Sequence, residues 1–371
     1  MNINFDIVII GAGPAGCSCA LALNNSGLKV ALIDKSYFPR DKICGDAIPG
    51  KALKYLKELS PEFYTTFLNY SDKLSIQKTA FFYNNKQLEY KWKLDAYNCK
   101  RVDFDNLYFN FIKYKTTTTI FEGVLINEIE KNKNGFKIFS KNNELVFNTK
   151  FIVGADGVNG ITSKTISKNT LKNKHSGMAI RTYYKGIKNI ENNRTEVYFN
   201  KKFMPGYFWI FPVSENLCNV GFGMKVTNIV KKKITLKNAF HEFINNSEIL
   251  KEKFKNAEII DNLKGGIIPF WSKNKIISGD NFISIGDAAS LVDPISGDGI
   301  ANAVLSGKLA ANQIINCFVN NDFSSKFIKN YDKDLYKKTI SEMKNNLFIQ
   351  KIISSFPFTL DALFLIKGRK N

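Results

Sequence analysis

Residues 5–16 read FDIVIIGAGPAG, and this stretch decides the fold. Residues 5–10 form a continuous apolar run, which predicts a short strand buried on both faces of a parallel sheet. Three glycines follow in the spacing G-x-G-x-x-G, and a helix-like pattern then continues to about Ser26. A second strand is predicted over residues 29–33 and ends at Asp34. The order of strand, glycine loop, helix, strand and acid predicts a Rossmann-type dinucleotide-binding unit.

Each part of this unit has a role in holding a dinucleotide. Gly11 permits the tight turn, Gly13 leaves room for a pyrophosphate, and Gly16 lets the helix pack closely on the strand. The start of the helix offers unpaired N–H groups and a positive dipole end to the phosphates. Asp34 can accept hydrogen bonds from ribose hydroxyls and would repel a 2′-phosphate. The unit therefore favours FAD or NAD over NADP, without distinguishing FAD from NAD.

Two later segments favour FAD. Residues 151–157, FIVGADG, form an apolar strand that runs into a glycine-flanked acid. Residues 282–285 form another apolar strand, which is followed by Asp287, Gly297 and Gly299 and then by a helical pattern. Asp287 can accept a hydrogen bond from a ribityl hydroxyl. A helix that begins near Gly299 would point its positive end at the flavin edge where negative charge develops on reduction.

Together these segments resemble the FAD-dependent monooxygenase-like superfamily and, within it, most closely the geranylgeranyl reductase family. The resemblance covers residues 5–320. Four stretches carry the narrower match: 38–46 FPRDKICGD, 101–107 RVDFDNL, 206–212 GYFWIFP and 219–223 NVGFG. The resemblance implies an FAD-dependent oxidoreductase that reduces carbon–carbon double bonds of a polyprenyl or similar lipid-like substrate. It leaves open whether NAD(P)H or ferredoxin supplies the electrons.

The resemblance also implies contacts to FAD at particular residues. Arg101 would lie along the FAD chain, although a surface ion pair with Asp103 or Asp105 would explain it equally simply. The Asp156 signature is linked in the wider family to FAD and nicotinamide binding, and a structural cap of the strand is the alternative. Backbone contacts to FAD are implied at four further positions: Ala15, Gly45, Val124 and Ile300.

Cys44, in the stretch KICGD, would lie near the flavin ring by the same resemblance. There a soft thiol could contact FAD, shape the pocket or assist proton delivery to the substrate. Free cysteine is also commonly buried and inert, so both interpretations stay open.

The resemblance further implies that the aromatic segment that contains Tyr207, Trp209 and Phe211 lines the substrate cavity above the flavin. Ordinary sheet core is the alternative, since alternating aromatic residues usually have that fate. Residues 81–83 form a similar apolar run, which is predicted to belong to the same sheet.

An aromatic hydroxylase or a flavin halogenase on the same fold is the alternative enzyme. Halogenases of this fold carry Trp-x-Trp-x-Ile-Pro, and the nearest residues here, 207–212 YFWIFP, do not match. A hydroxylase would keep the same flavin signatures and would consume oxygen. A third hypothesis is a non-catalytic flavin- or lipid-binding protein, against which the intact flavin signatures argue.

The predicted fold class is α/β, with an antiparallel-sheet substrate domain inserted into a Rossmann-type FAD-binding domain and a helical C-terminus. The FAD-binding domain is discontinuous and is predicted over residues 1–70, 99–170 and 272–320. The substrate-binding sheet is predicted over residues 71–98 and 171–271, and the helical segment over 321–371.

Composition excludes several other classes of protein. A hydrophobic fraction of 44% in 371 residues predicts a globular chain. The net charge of +20 attracts anions, but no nucleic-acid motif accompanies it, so no nucleic-acid partner is expected. Six scattered cysteines without a CxxC pair, and two histidines, make a metal site improbable. Thiols without a leader sequence suggest the cytoplasm.

The end of the chain raises the question of membrane contact. Residues 347–366 are apolar but contain Gln350, Lys351, Pro357 and Asp361, so they predict amphipathic helix and not a membrane span. A basic cluster, KGRK, follows at 367–370. Such a segment could lie at the inner face of the membrane. A helix packed on the domain is the alternative and is slightly favoured.

Overall fold

The computed structural model describes residues 1–84, 86–141, 144–272 and 275–355, together with Phe364. Its strands form two β-sheets, and each sheet has helices against one face. The α/β class, the Rossmann-type sheet and the second, inserted sheet are confirmed. The domain limits stay a prediction.

The first sheet has a parallel centre, as the apolar run at residues 5–10 predicts. Its parallel strands occur in the order β17–β9–β1–β2–β6. They are β1 (Asn2–Ile10), β2 (Val30–Ile33), β6 (Thr119–Phe121), β9 (Val146–Gly154) and β17 (Phe282–Ser284). Antiparallel strands extend the sheet beside β9 and β17: β7 (Ile126–Asn132), β8 (Gly135–Ser140) and β16 (Ser278–Gly279).

Both faces of β1 are buried. Ile7 and Ile9 belong to the core that the helices cover, whereas Val8 and Ile10 pack on the β7–β8 side. The strand also begins three residues earlier than predicted, because Asn2, Ile3 and Asn4 pair with β9. An apolar run marks only the part of a strand that is buried, so it misses this polar end.

Ten α-helices occur among the described residues. They are α1 (Pro14–Leu23), α2 (Gly50–Leu59), α3 (Pro61–Asn69), α4 (Arg101–Lys115), α5 (Ile161–Thr165), α6 (Val226–Lys232), α7 (Leu236–Asn245), α8 (Glu248–Phe254), α9 (Ile300–Asn320) and α10 (Ser325–Ser355). Helix α1 ends before the predicted Ser26, since Asn25 and Gly27 adopt positive φ angles of 66° and 76°.

The second sheet contains nine strands, in the order β14–β10–β13–β12–β11–β4–β5–β3 with β15 beside β10. They are β3 (Ala47–Ile48), β4 (Leu74–Tyr83), β5 (Lys86–Asn98), β10 (Ser176–Lys185), β11 (Arg194–Tyr198), β12 (Tyr207–Ser214), β13 (Leu217–Lys225), β14 (Glu258–Ile259) and β15 (Lys264–Pro269). Residues 81–83 lie in this sheet, as predicted.

One pair of strands departs from the predicted antiparallel arrangement, since β4 and β11 run parallel. These two strands come from separate insertions, and the chain passes through the first sheet between them. No hairpin therefore connects them, and nothing forces them to run in opposite directions.

The second sheet has two different faces. On β12, Phe208 and Ile210 pack with the helical residues Phe240 and Phe243 in one apolar core. The alternate residues of the same strand point to the opposite face, where the two sheets meet. That opposite face is one wall of the site described below.

The chain ends on α10, a helix of 31 residues. It takes in the first part of the amphipathic segment predicted at 347–366, while residues 356–363 and 365–371, with the basic cluster, lie outside the described residues. In the described ranges, the structure has no helix with the length and apolar character needed to cross a bilayer.

Candidate functional site

A single cavity of about 1850 Å³ lies between the two sheets. Pockets for one small ligand usually measure roughly 300–1000 Å³, so this cavity has room for a large cofactor and a second molecule. The predicted site residues, Gly16 excepted, all line it: Gly11, Gly13, Ala15, Asp34, Cys44, Gly45, Arg101, Val124, Asp156, Tyr207, Trp209, Phe211, Asp287, Gly297, Gly299 and Ile300.

The glycines of the loop allow neighbouring backbone atoms to approach it closely. Gly11 has a φ of +106°, and a Cβ there would lie 2.3 Å from the Ala155 carbonyl oxygen. Gly16 lies outside the cavity because it packs on the loop itself, with its Cβ position 1.9 Å from the Gly11 oxygen. Gly13 caps α1 without a side chain and lines the cavity, where a Cβ would meet Arg40 Nη2 at 3.6 Å. The first N–H groups of α1 are thus available to an anion.

Asp34 ties the end of β2 to this loop. Its Oδ2 accepts a hydrogen bond from Ala12 N (2.8 Å), and its Oδ1 accepts one from Ser36 N (2.9 Å). A carboxylate has about four acceptor sites, so it can still accept from a ligand hydroxyl. This geometry fits the predicted ribose contact.

Arg101 is buried rather than at the surface. Its guanidinium donates two hydrogen bonds to Asp105, from Nε at 2.8 Å and from Nη2 at 2.9 Å. Arg40 approaches the same carboxylate at 3.1 Å, and its Nη2 lies 3.6 Å from the Cβ position of Gly13. The surface pairing and the Asp103 alternative are therefore wrong, and Asp105 is the partner.

The pair of guanidinium groups on one carboxylate leaves net positive charge beside the glycine loop. A pyrophosphate carries the complementary charge. Sequence reasoning gave Arg40 no role, although it stands in the matched stretch 38–46.

The predicted second anchor for a flavin lies at the end of β17. Asp287 opens a short 3₁₀ helix, Gly286–Ala289, and its Oδ2 lies 3.5 Å from Lys42 Nζ. Helix α9 starts at Ile300, as predicted, and Gly299 caps it without a side chain. A Cβ on Gly299 would lie 3.1 Å from Val292 Cγ2 and 3.4 Å from Asp287 Oδ1. The start of α9 is therefore narrow, positive and open to the cavity.

Asp298 stands beside this helix start, and sequence reasoning did not single it out. Its carboxylate accepts a hydrogen bond from Ile300 N at 2.9 Å. Burial raises the pKa of Asp298 to about 6, and the nearby Asp293 carboxylate also raises it, against hydrogen bonds from backbone N–H groups.

We expect Asp298→Asn to stabilise the FAD-free protein at about pH 7.5 but not near pH 4. The pKa of Asp298 is about 6 when folded and roughly 3.9 when unfolded, so stability is lost as pH rises between these values. This difference of about two in pKa corresponds to about 2–3 kcal/mol in the free energy of unfolding. Urea unfolding at both pH values measures the difference, with the exposed Asp334→Asn as control. A gain that is equal at both pH values would point to altered packing instead.

Asp156 acts as a cap. Its carboxylate accepts hydrogen bonds from the backbone N (2.9 Å) and from the hydroxyl of Thr162, in the first turn of α5. The side chain also lines the cavity. Asp156 thus has a structural role at the start of α5, not at the end of the strand as the alternative predicted, and its contact with a cofactor stays a prediction.

Cys44 is half-buried at the cavity wall, whereas the other five cysteines are buried. Burial raises the pKa of its thiol, although the Arg101 guanidinium acts in the opposite direction. The thiol is therefore neutral at physiological pH, and it can hold a proton at the edge of the site. Such a thiol is not activated as a nucleophile.

Asn219 connects Cys44 to the second sheet, and sequence reasoning missed it. It is fully buried, and its Nδ2 donates to the Cys44 carbonyl (2.8 Å) and to Asp46 Oδ2 (2.7 Å). Its Oδ1 accepts from Trp209 Nε1 at 2.9 Å. Asp46 also accepts a hydrogen bond from the Tyr183 hydroxyl at 2.7 Å. One amide therefore fixes the loop of Cys44 against the aromatic strand.

Tyr207, Trp209 and Phe211 form an aromatic wall on β12. All three line the cavity, while the alternate residues of the strand are core. The Trp209 ring lies over Gly221, where a Cβ would come within 2.1 Å of Cζ2. This wall belongs to the second sheet and the glycine loop to the first, so the two lie on opposite sides of the cavity. The wall therefore faces the part of the cavity that a cofactor at the glycine loop would not fill.

Among the residues that the structure describes, no group of three or more His, Cys, Asp or Glu side chains is placed to hold a metal ion.

Comparisons with known proteins agree with this geometry. A family model described as the geranylgeranyl reductase catalytic domain matches residues 176–267, and one described as pyridine nucleotide-disulphide oxidoreductase matches residues 5–120. A digeranylgeranylglycerophospholipid reductase of Methanococcus vannielii is 28% identical over 97% of this chain and 92% of its own length.

Two further proteins extend the comparison. An uncharacterised protein of Methanosarcina barkeri is 31% identical over 84% of this chain and 74% of its own length. The crystal structure of a geranylgeranyl bacteriochlorophyll reductase-like protein from Thermoplasma acidophilum matches with a TM-score of 0.86. That match is 23% identical and covers 99% of this chain and 92% of the other, so it shows a shared fold.

Proposed function

We propose that this chain, which belongs to the geranylgeranyl reductase family of FAD-dependent oxidoreductases, reduces carbon–carbon double bonds of a polyprenyl or similar lipid-like substrate. One observation carries the proposal. The aromatic wall of Tyr207, Trp209 and Phe211 lines the same cavity as the glycine loop and the start of α9. An apolar chain can therefore lie between this wall and a bound flavin.

The residues present fit FAD along its whole length. Asp34 would hold the adenosine ribose, and the start of α1 with Arg40 and Arg101 would hold the pyrophosphate. Asp287 would accept from a ribityl hydroxyl, and the positive end of α9 would face the flavin ring. When bound, FAD supplies the hydride for reducing a double bond.

The protein's own residues prepare the substrate and a proton. The wall of β12 binds and orients an apolar chain and excludes water from it. Cys44 holds a neutral thiol between the two halves of the cavity, where it could supply the proton that completes the reduction. An inert packing role for this thiol is the alternative to proton delivery.

The remaining parts of the proposal concern the electron donor and the location of the protein in the cell. The electron donor is NAD(P)H or ferredoxin. The protein works in the cytoplasm, in peripheral contact with the inner face of the membrane. The aromatic hydroxylase alternative shares the flavin-binding residues and differs in using oxygen.

Mass spectrometry of the product tests the proposal. Protein purified with FAD is reduced with dithionite and given a detergent-solubilised geranylgeranyl lipid without oxygen. We expect the product to gain hydrogen without oxygen. Phe211→Ala should slow turnover and keep FAD, whereas Tyr114→Ala, an exposed aromatic on α4, should change neither. A protein that binds no FAD, or one that hydroxylates small aromatics and ignores the lipid, would contradict the proposal.

A further inference from the structure

Three apolar side chains stand in a row on β5, on the face that looks toward the cavity. We define this row as the β5 strip: Tyr90, Trp92 and Leu94. Their exposed fractions are 46%, 47% and 54%, and all three line the mouth of the cavity. Trp92 Nε1 donates to Thr79 Oγ1 at 3.1 Å, and the Tyr90 and Trp92 rings meet edge to face at 4.9 Å.

The strip lies on a strand with a free edge. Residues 86–91 and 96–98 of β5 pair with β4, with an irregularity at residues 92–95, and on its other side β3 joins only at residues 97–98. From 89 to 95 every side chain of β5 is exposed. Single exposed apolar residues are ordinary on a protein surface, but a contiguous row beside a binding cavity marks an interaction site.

The charges on β5 indicate what the strip contacts. On this strand Glu89 is paired with Lys78 at 3.3 Å. Lys91 and Lys93 have no carboxylate within ion-pair distance in the described part of the chain. The whole chain carries a net charge of +20. Tyr and Trp beside free lysines are typical of a surface that sits at the headgroup level of an anionic bilayer.

We propose that the β5 strip is the membrane-docking surface of this protein, and that a lipid chain passes from the bilayer over it into the cavity. The strip is continuous with the apolar wall: Tyr90 lies beside Thr79 across the β4–β5 ladder, and Phe81 of β4 lines the cavity further in. The passage of substrate rests on the proposed function, whereas the docking does not.

This assignment differs from membrane contact through the C-terminal tail, for which the sequence slightly favours a helix packed on the domain. In α10, Gln350 and Ile353 line the cavity instead of facing outward. Phe364 is buried, with its ring 5.6 Å from that of Tyr83. Phe348 and Ile349 are exposed apolar residues in the described part of α10, and they provide the rival surface.

Vesicle sedimentation tests the docking surface without substrate or turnover. The full chain with FAD is mixed with vesicles of phosphatidylcholine and phosphatidylglycerol. We expect the combined Tyr90→Ser, Trp92→Ser and Leu94→Ser variant to bind at least about tenfold more weakly. The Lys91→Gln, Lys93→Gln variant should lose about fivefold for each lysine removed, at low salt only.

Two controls keep the test specific. Tyr114→Ser removes an aromatic that is 74% exposed on α4, away from the cavity, and should bind vesicles as the unchanged protein does. Retained FAD and an unchanged circular dichroism spectrum show that the strip variant is folded. A strip variant that does not fold is replaced by Trp92→Ser alone, for which a smaller loss in the same direction is expected.

Four outcomes would overturn the inference: no vesicle binding by the unchanged protein, unchanged binding by the strip variant, loss of binding on Phe348→Ser instead, or a dimer in solution that the strip variant abolishes. The last outcome would assign the free edge of β5 to a second copy of the chain. If the protein binds vesicles through the strip but reduces no prenyl lipid, the proposed function fails and the docking surface stands.

Discussion

Arg101→Leu is expected to lower the free energy of unfolding of the FAD-free protein by about 3–5 kcal/mol, because it removes the bidentate partner of a buried carboxylate. Asp105 has no exposed side-chain surface and would keep only Arg40, at 3.1 Å. Urea unfolding of the FAD-free protein measures the loss.

Asp103→Asn is the matched control, since it changes a carboxylate two residues away that forms no ion pair among the described residues. Its effect should stay within about 0.5 kcal/mol. Replacing both Arg101 and Asp105 by leucine should recover only part of the loss, because the buried carboxylate is then removed but Arg40 also loses its partner. A loss below about 1 kcal/mol for Arg101→Leu alone would show that Arg40 suffices.

Asn219→Leu is expected to reduce turnover about a hundredfold while FAD stays bound, because misplacing a group of the site by about 1 Å has an effect of that size. The variant leaves the Trp209 N–H without its acceptor and the Cys44 carbonyl without its donor. Steady-state turnover and FAD affinity measure the two parts of this prediction.

A readout at Cys44 separates positioning from general damage to the fold. With its loop released, the thiol should be alkylated by iodoacetamide faster in Asn219→Leu than in the unchanged protein. Asn302→Ala removes another buried asparagine, which lies in α9 and donates to the Leu291 carbonyl rather than to the Cys44 loop; it should not alter alkylation. Equal alkylation in all three proteins would contradict a positioning role for Asn219.

The parts of the site that could be predicted from the sequence are those whose functional residues all lie within one short stretch. The glycine loop and Asp34 lie within one strand–helix–strand unit, and the start of α9 follows directly from glycines after an apolar strand. The spacing of residues within such a stretch therefore indicates the role of each residue. The aromatic wall on β12 was expected from the family resemblance, whereas the alternation of its aromatic residues alone indicated ordinary sheet core.

The residues that were missed act through partners far away in the chain. Asn219 contacts Cys44 across 175 residues, and Lys42 meets Asp287 between two separate loops. A single sequence carries no signal for such pairs. Asp298 looked like one more polar residue of a glycine-rich loop, because its burial comes from elements that no local pattern describes. The β5 strip was missed for a related reason. Alternation of apolar and polar residues predicts a strand with one buried face, but in β5 the apolar face is about half exposed at the mouth of the cavity.

The strand order of the first sheet has a consequence for synthesis on the ribosome. In that sheet β9 lies between β1 and β17, and β17 comes 128 residues after β9 ends at Gly154 and just before the second flavin anchor. A nascent chain that stops before residue 282 has the glycine loop but neither this strand nor α9. Contacts between such distant segments form late and slow the search for the native state. We therefore expect truncated chains to capture no FAD, and cofactor supply to matter only once nearly the whole protein has emerged.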